Sequence, residues 1–259
     1  MQRRGEFDLI AQVFAPLAAG APGAFALGDD AATITPAAGY ELVVTTDAMV
    51  RGVHFDQRTA PADVGRKLLR VNLSDLAAKG AEPLGYVLTT AWSPDVTDEW
   101  IVAFASGLKS DQDQFGISLL GGDTVATPHD LVLSVTIFGQ VPAGTMLRRA
   151  GAHSGDDIYV SGTIGDACLG LQVAQGALVL APGDATALRQ RLDCPTPRLA
   201  LGRALRGIAH AALDVSDGLL GDLDHICTQS QLAAEVRSDR VPLSAAARAR
   251  VSAAPNERN

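Results

Sequence analysis

Aspartate recurs in this chain at the close of apolar or small-residue runs. "ALGDD" brings Asp29 and Asp30, "VVTTD" brings Asp47, "SLLGGD" brings Asp123, and "AALDVSDG" brings Asp214 and Asp217. A fifth stretch, "VNLSDLAAKG", sets Asp75 in an amphipathic helical pattern. One such turn carries no message, because aspartate is an ordinary turn and cap residue. Four in one chain predict strand ends converging on a carboxylate-rich pocket, the place where α/β proteins bind ligands. Packed carboxylates repel unless a cation sits among them. An oxygen-only ligand set selects Mg2+ over zinc, and Mg2+ held by a few carboxylates commonly completes its shell with nucleotide phosphates. Gly28, Gly121, Gly122 and Gly218 stand beside these aspartates. They would let backbone N–H groups approach phosphate oxygens.

Each piece also has a plainer reading. Asp29, Asp217 and Asp222 are placed as helix caps or turn formers would be. Gly121-Gly122 has the form of a tight turn, and Arg148 and Arg149 are solvated by default. His129, His153, His210 and His225 show no mutual spacing of a metal site or triad. "GLKS" (107–110) mimics the end of a phosphate-binding loop, but Val102 stands where its first glycine belongs, which argues against a Walker site.

The elements that must hold these residues follow from periodicity. Helices are expected over "FDLIAQVFAPLA", from Pro61 to about Gly80, over 96–115, 166–175, 184–192 and 197–206, over "LLGDLDHICTQS" and over "PLSAAARARVSA". Strands are expected in "FALGDDAATI", over 41–46, and in "LGYVLTTAW", "ISLLGGDT" and "DLVLSVTIFGQV". Three more are expected in "RAGAHSGDDIYVSG", "AALDVSDG" and "AAEVR". The mixture is α/β or α+β. A change of character near 145 divides the chain into 1–145 and 146–259.

Composition narrows the function classes. With 259 residues and 47% hydrophobic content the chain can build a substantial core. A formal charge of −8 argues against nucleic acid or an anionic membrane as partner, and Arg148-Arg149 is too short to make a basic patch. Of 29 acidic residues, 23 are aspartate, the shorter side chain that serves hard cations on loops. Three unspaced cysteines fit a reducing cytoplasm. Neither a signal peptide nor an 18-residue apolar run is found.

Read in order, the stretches "LGDDAATI", "VVTTDAMVRGVHF", "GRKLLRVNLSDLAAKGAEPLGYVLTTAW", "LLGGDT", "RAGAHSGDDIYVSGTIGDACLGL", "CPTPRLALG" and "ALDVSDGLLGDL" resemble the thiamine-monophosphate kinase family, of the aminoimidazole ribonucleotide synthetase superfamily. The resemblance spans roughly residues 5–230. It implies a two-domain fold: an N-terminal mixed sheet with helices on one face, binding metal and ATP and pairing as a homodimer, then a C-terminal α/β domain. It implies ATP plus thiamine monophosphate giving ADP plus thiamine diphosphate, with several Mg2+ ions. By the same resemblance, Asp30, Thr45, Thr46, Asp47, Asp75, Asp123 and Asp214 hold Mg2+, and Asp217 a further ion. Asp47, Asp75, Asp123 and Asp214 form the catalytic group. Gly122, Arg149 and Ser216 touch ATP, with Arg148 the rival for Arg149, and His54 touches thiamine monophosphate. Phosphoryl transfer needs positioning and charge neutralisation more than a general base, and the motifs hold no conspicuous nucleophile, which favours direct transfer.

Members of the family continue beyond "VPLSAAARARV" with a "GGEDYEL"-like motif and a later aromatic over the thiamine. Neither is present, so the C-terminal domain is expected to be incomplete, with exposed apolar surface. Two alternatives stand beside the kinase: an impaired Mg-ATP-binding form of it, and a related ATP-dependent synthetase.

Overall fold

The computed structural model describes residues 4–253. The chain packs into two compact units. The first comprises residues up to 147 together with 196–208, and the second comprises 148–195 together with 209 onward.

The first unit is built on one four-stranded mixed sheet. Its strands are β1 (Tyr40–Val50), β2 (Glu82–Trp92), β3 (Ser118–Ala126) and β4 (Val132–Pro142), in spatial order β1-β4-β2-β3. β4 runs antiparallel to both neighbours, and β2 and β3 are parallel. Residues alternate between faces along β4: Leu133, Val135, Ile137 and Val141 are fully buried, while Ser134, Thr136, Phe138 and Gln140 are only half-buried. One face therefore carries the core and the other is left open.

Two long helices, α2 (Pro61–Ala78) and α3 (Asp98–Phe115), supply the apolar stripe for the core face. α2 starts on Pro61, whose missing N–H costs nothing in a first turn. α3 starts on Thr97, whose hydroxyl accepts the Trp100 N–H, and stops at the left-handed Gly116. The two helices pack backbone to backbone: a Cβ on Gly107 would lie 1.9 Å from the Ala62 carbonyl oxygen. Gly107 is thus a packing residue in the middle of α3. Across the same interface the buried Asp111 carboxylate accepts from the Arg70 guanidinium at 2.6 and 2.8 Å. A short N-terminal helix α1 (Glu6–Leu9) continues through π and 3-10 turns to Ala18, burying Leu9, Val13, Phe14 and Leu17.

The second unit holds α4 (Asp166–Ala174), α5 (Pro182–Asp193), α7 (Leu219–Ser230) and α8 (Ala245–Ala253); α6 (Leu199–Ala204) belongs to the first. The strands expected in "RAGAHSGDDIYVSG", "AALDVSDG" and "AAEVR" do not form among the described residues. A strand needs a neighbour to take its N–H and C=O groups, and these segments have no ladder partner. Ile158, Tyr159 and Val215 are correspondingly exposed. The expected strand in "FALGDDAATI" is also absent: Pro22–Leu27 forms a 3-10 turn in which Phe25, Ala26 and Leu27 take positive φ.

Candidate active site

β1 is longer than its apolar run suggests. It extends to Val50, so Asp47 lies within the strand and not at its end. β1 is an edge strand, which keeps such a position accessible. Alternation places Val43, Thr45, Asp47 and Met49 on the core face, and Val43 and Met49 are buried there. Thr45 and Asp47 thus look toward the helices. The Thr45 hydroxyl donates to the Asp75 carboxylate at 2.5 Å, tying β1 to the last turn of α2. Thr46 lies on the opposite face. Its hydroxyl donates to the Val135 carbonyl at 3.1 Å and lies 3.0 Å from the Thr136 hydroxyl. Its side chain is therefore occupied away from Thr45 and Asp47, and its backbone carbonyl is the oxygen it has left to offer an ion beside them.

Asp123 also lies inside a strand. β3 continues through Gly121-Gly122 after a bulge at Leu120, so the expected glycine turn is not formed. The sheet itself requires Gly122, since a Cβ there would stand 1.8 Å from the Leu88 carbonyl oxygen. Asp123 pairs in register with Thr89 on the open face. It shares a cavity of about 390 Å3 with Asp29, Asp30, Gly121 and Gly122, at the β3 edge. There the Asp30 N–H donates to the Asp29 carboxylate at 2.8 Å, which combines the turn-forming reading of Asp29 with a place in the cavity wall.

β1 and β3 are the two edges of the sheet, three strand spacings apart, or roughly 14 Å. Asp47 and Asp123 of one chain therefore stand too far apart to share an ion. Among the described residues no three of these aspartates bring carboxylate oxygens within 4.8 Å of one another. The first unit instead presents two oxygen groups: Thr45, Asp47 and Asp75 at the β1–α2 contact, and Asp29, Asp30 and Asp123 at the β3 edge. Both consist of hard oxygen donors only, which fits Mg2+ whose remaining ligands come from phosphates and water.

His54 sits in the exposed turn after β1. Its Nδ1 accepts the Val50 N–H at 3.0 Å and its carbonyl accepts from Lys67 at 2.8 Å. With Nδ1 an acceptor, neutral His54 carries its proton on Nε2 and can donate it to an incoming group. The turn is braced by Arg51, which donates to both Asp95 oxygens at 2.7 and 3.0 Å. The Arg51 guanidinium holds Asp95 well below the usual carboxylate range, at about 2.

In the second unit, Asp214, Ser216 and Asp217 lie on the loop leading into α7. The loop is shaped from within: the N–H groups of Ser216, Asp217 and Gly218 all donate to one Asp222 oxygen, at 2.9, 3.1 and 3.0 Å. Asp222 is 3% exposed. It is a turn former, and one that fixes the candidate ATP-contact Ser216. Arg148 and Arg149 are both exposed, with no ion-pair partner among the described residues.

Residues 28–141 match the family model "AIR synthase related protein, N-terminal domain". The thiamine-monophosphate kinase of Caulobacter vibrioides is 48% identical over 252 residues, covering 97% of this chain and 71% of that protein. The crystal structure of thiamine-monophosphate kinase from Stenotrophomonas maltophilia superposes with a TM-score of 0.78 at 49% identity, over 85% of this chain and 70% of that one. AaThiL complexed with AMPPCP and TMP superposes with a TM-score of 0.79 at 28% identity, over 98% of this chain and 80% of that one.

Proposed function

This chain belongs to the thiamine-monophosphate kinase family, and on that premise we propose how its residues carry out the reaction. The chain is an ATP-dependent phosphotransferase that converts thiamine monophosphate to thiamine diphosphate. A phosphate oxygen of thiamine monophosphate attacks the γ-phosphorus of ATP, a new P–O bond forms, the bond to the β-phosphate oxygen breaks, and ADP leaves. The acceptor is already ionised, so no general base is required. The obstacle is repulsion between two polyanions.

The observation that carries this reading is the oxygen group of Thr45, Asp47 and Asp75. It is charged, free of nitrogen and sulfur, and locked between β1 and α2 by a 2.5 Å hydrogen bond. Asp30, Asp123, Asp214 and Asp217 would hold further ions. Bound Mg2+ would neutralise the phosphates and align donor and acceptor. The chain's own part is to keep these oxygens fixed, to present Gly122, Ser216 and Arg149 to the nucleotide, and to offer the His54 Nε2 proton to the substrate phosphate. Transfer is direct and in line. Thiamine diphosphate formation from γ-phosphate of defined oxygen-isotope chirality tests this: one transfer inverts the phosphorus, and net retention would point to an enzyme-bound intermediate.

We assign residues 1–145 to a first domain that carries most of the metal ligands and Gly122, and 146–259 to a second that adds Asp214, Asp217, Ser216 and Arg149, although 196–208 packs with the first unit. The first also pairs as a homodimer through the open face of its sheet. Leu42 and Val44 are 43 and 55% exposed there, beside half-buried Phe138, and a sheet is stable with one such face only when the face is polar or covered. Sedimentation equilibrium tests the pairing, with Val44→Lys expected to shift the protein to monomer. No described helix is long and apolar enough to cross a membrane.

A further inference from the structure

The spacing of the histidines in the chain hides a contact that the fold makes. His153 and His210 are 57 positions apart in sequence, yet their rings meet edge to face with centroids 4.5 Å apart. The two Nδ1 atoms are 3.1 Å apart. Asp156 closes the triangle: its Oδ2 lies 2.9 Å from the His210 Nδ1 and 3.9 Å from the His153 Nδ1.

The backbone builds this arrangement from both sides. The His153–Asp156 turn is closed by the Asp156 N–H donating to the His153 carbonyl at 3.1 Å, and the His153 N–H donates back to Asp156 Oδ2 at 2.8 Å. The His210 segment is pinned to the start of the same unit by the Ala212 N–H donating to the Arg148 carbonyl at 2.8 Å. Close packing adds to this, since a Cβ on Gly151 would lie 2.6 Å from the His210 carbonyl oxygen. The three ligand atoms are thus held by turns and packing, while the side chains stay open to solvent.

The His210 Nδ1 faces both the Asp156 carboxylate and the His153 Nδ1. A cation at the centre takes a lone pair from all three atoms at once. With metal–nitrogen and metal–oxygen bonds of about 2.0–2.1 Å, a tetrahedral ion spaces its ligand atoms by about 3.3 Å. The observed 3.1, 2.9 and 3.9 Å bracket that edge. Two imidazoles and one carboxylate suit zinc and its first-row neighbours, not Mg2+.

We propose that His153, Asp156 and His210 form a binding site for a divalent transition-metal ion of the zinc class, separate from the aspartate groups, with a fourth position open to water. The bound ion clamps the 148–156 segment to the 209–212 segment.

The test is a Zn2+ titration of the tag-free, chelator-treated protein against a chromophoric zinc chelator. Excess Mg2+ is present to fill the oxygen sites. The wild type is expected to take up one Zn2+ equivalent at micromolar affinity or better, and its thermal midpoint to rise with Zn2+. His153→Ala and His210→Ala, both at exposed positions, are each expected to weaken uptake at least tenfold and to abolish the rise. Cys168→Ser, which removes the exposed rival thiol, should leave both unchanged. Equal uptake by wild type and His210→Ala, no uptake by the wild type, or loss in Cys168→Ser alone would each overturn the site.

Discussion

The Thr45 hydroxyl and the Asp75 carboxylate are joined by a 2.5 Å hydrogen bond between an edge strand and the last turn of the helix that covers it. The bond fixes one carboxylate oxygen and leaves the other to an ion. Thr45→Val keeps the β-branched shape and removes the donor. It should cost about 1 kcal/mol of stability, read as a shifted urea midpoint, and raise the Mg2+ concentration for half-maximal rate several-fold. An unchanged Mg2+ requirement would separate this hydrogen bond from metal binding.

Gly121 and Gly122 are neighbours with opposite demands. A Cβ at Gly122 meets the Leu88 carbonyl oxygen at 1.8 Å, whereas nothing lies within 4 Å of one at Gly121. Gly122→Ala should therefore destabilise by roughly 3 kcal/mol or prevent folding, and Gly121→Ala should cost under about 1 kcal/mol. Denaturant titration of the pair checks the contrast.

Asp222 takes three N–H groups of the 216–218 loop on one oxygen. Asp222→Ala leaves those donors without their acceptor and should cost about 2–3 kcal/mol. Because Ser216 is a proposed ATP contact, KM for ATP should rise more than kcat falls. Asp222→Asn, which retains an acceptor oxygen, should recover part of both.

The Arg51–Asp95 pair sets an acid limit for the turn that carries His54. The folded pKa of Asp95, about 2, lies below its ordinary 3.8, so the ionised form is favoured by folding. The contribution is complete above about pH 4 and fades as pH falls through about 2. Asp95 is 59% exposed, so solvent screening keeps the contribution to about half a kcal/mol. Urea midpoints of wild type and Asp95→Asn should differ at pH 6 and converge near pH 2.

The long periodic elements were legible in the sequence. α2, α3, β2 and β4 stand within a few residues of their expected bounds because amphipathic period and caps specify them locally. Asp47 and Asp123 stand out in the sequence as site candidates, but the setting expected for them, a strand end and a glycine turn, is not the one the fold builds. Threonine, aspartate and paired glycines signal a turn, and here edge-strand pairing to β4 and β2 overrides that signal. The expected strands of the second unit failed for the complementary reason: extended propensity without a ladder partner makes no sheet. The His153–Asp156–His210 triangle had no sequence signal at all, since it depends on packing between segments more than 50 residues apart.

The most direct measurement is thiamine diphosphate formation by this 259-residue chain from ATP and thiamine monophosphate, with and without Mg2+, beside Asp47→Asn. Product is expected from the wild type only when Mg2+ is present. Asp47→Asn is expected to give less than a hundredth of that rate, with circular dichroism unchanged. A wild-type rate indifferent to Mg2+ removal, or an Asp47→Asn rate within a few-fold of wild type, would contradict the assignment of the aspartates to the metal ions of the transfer.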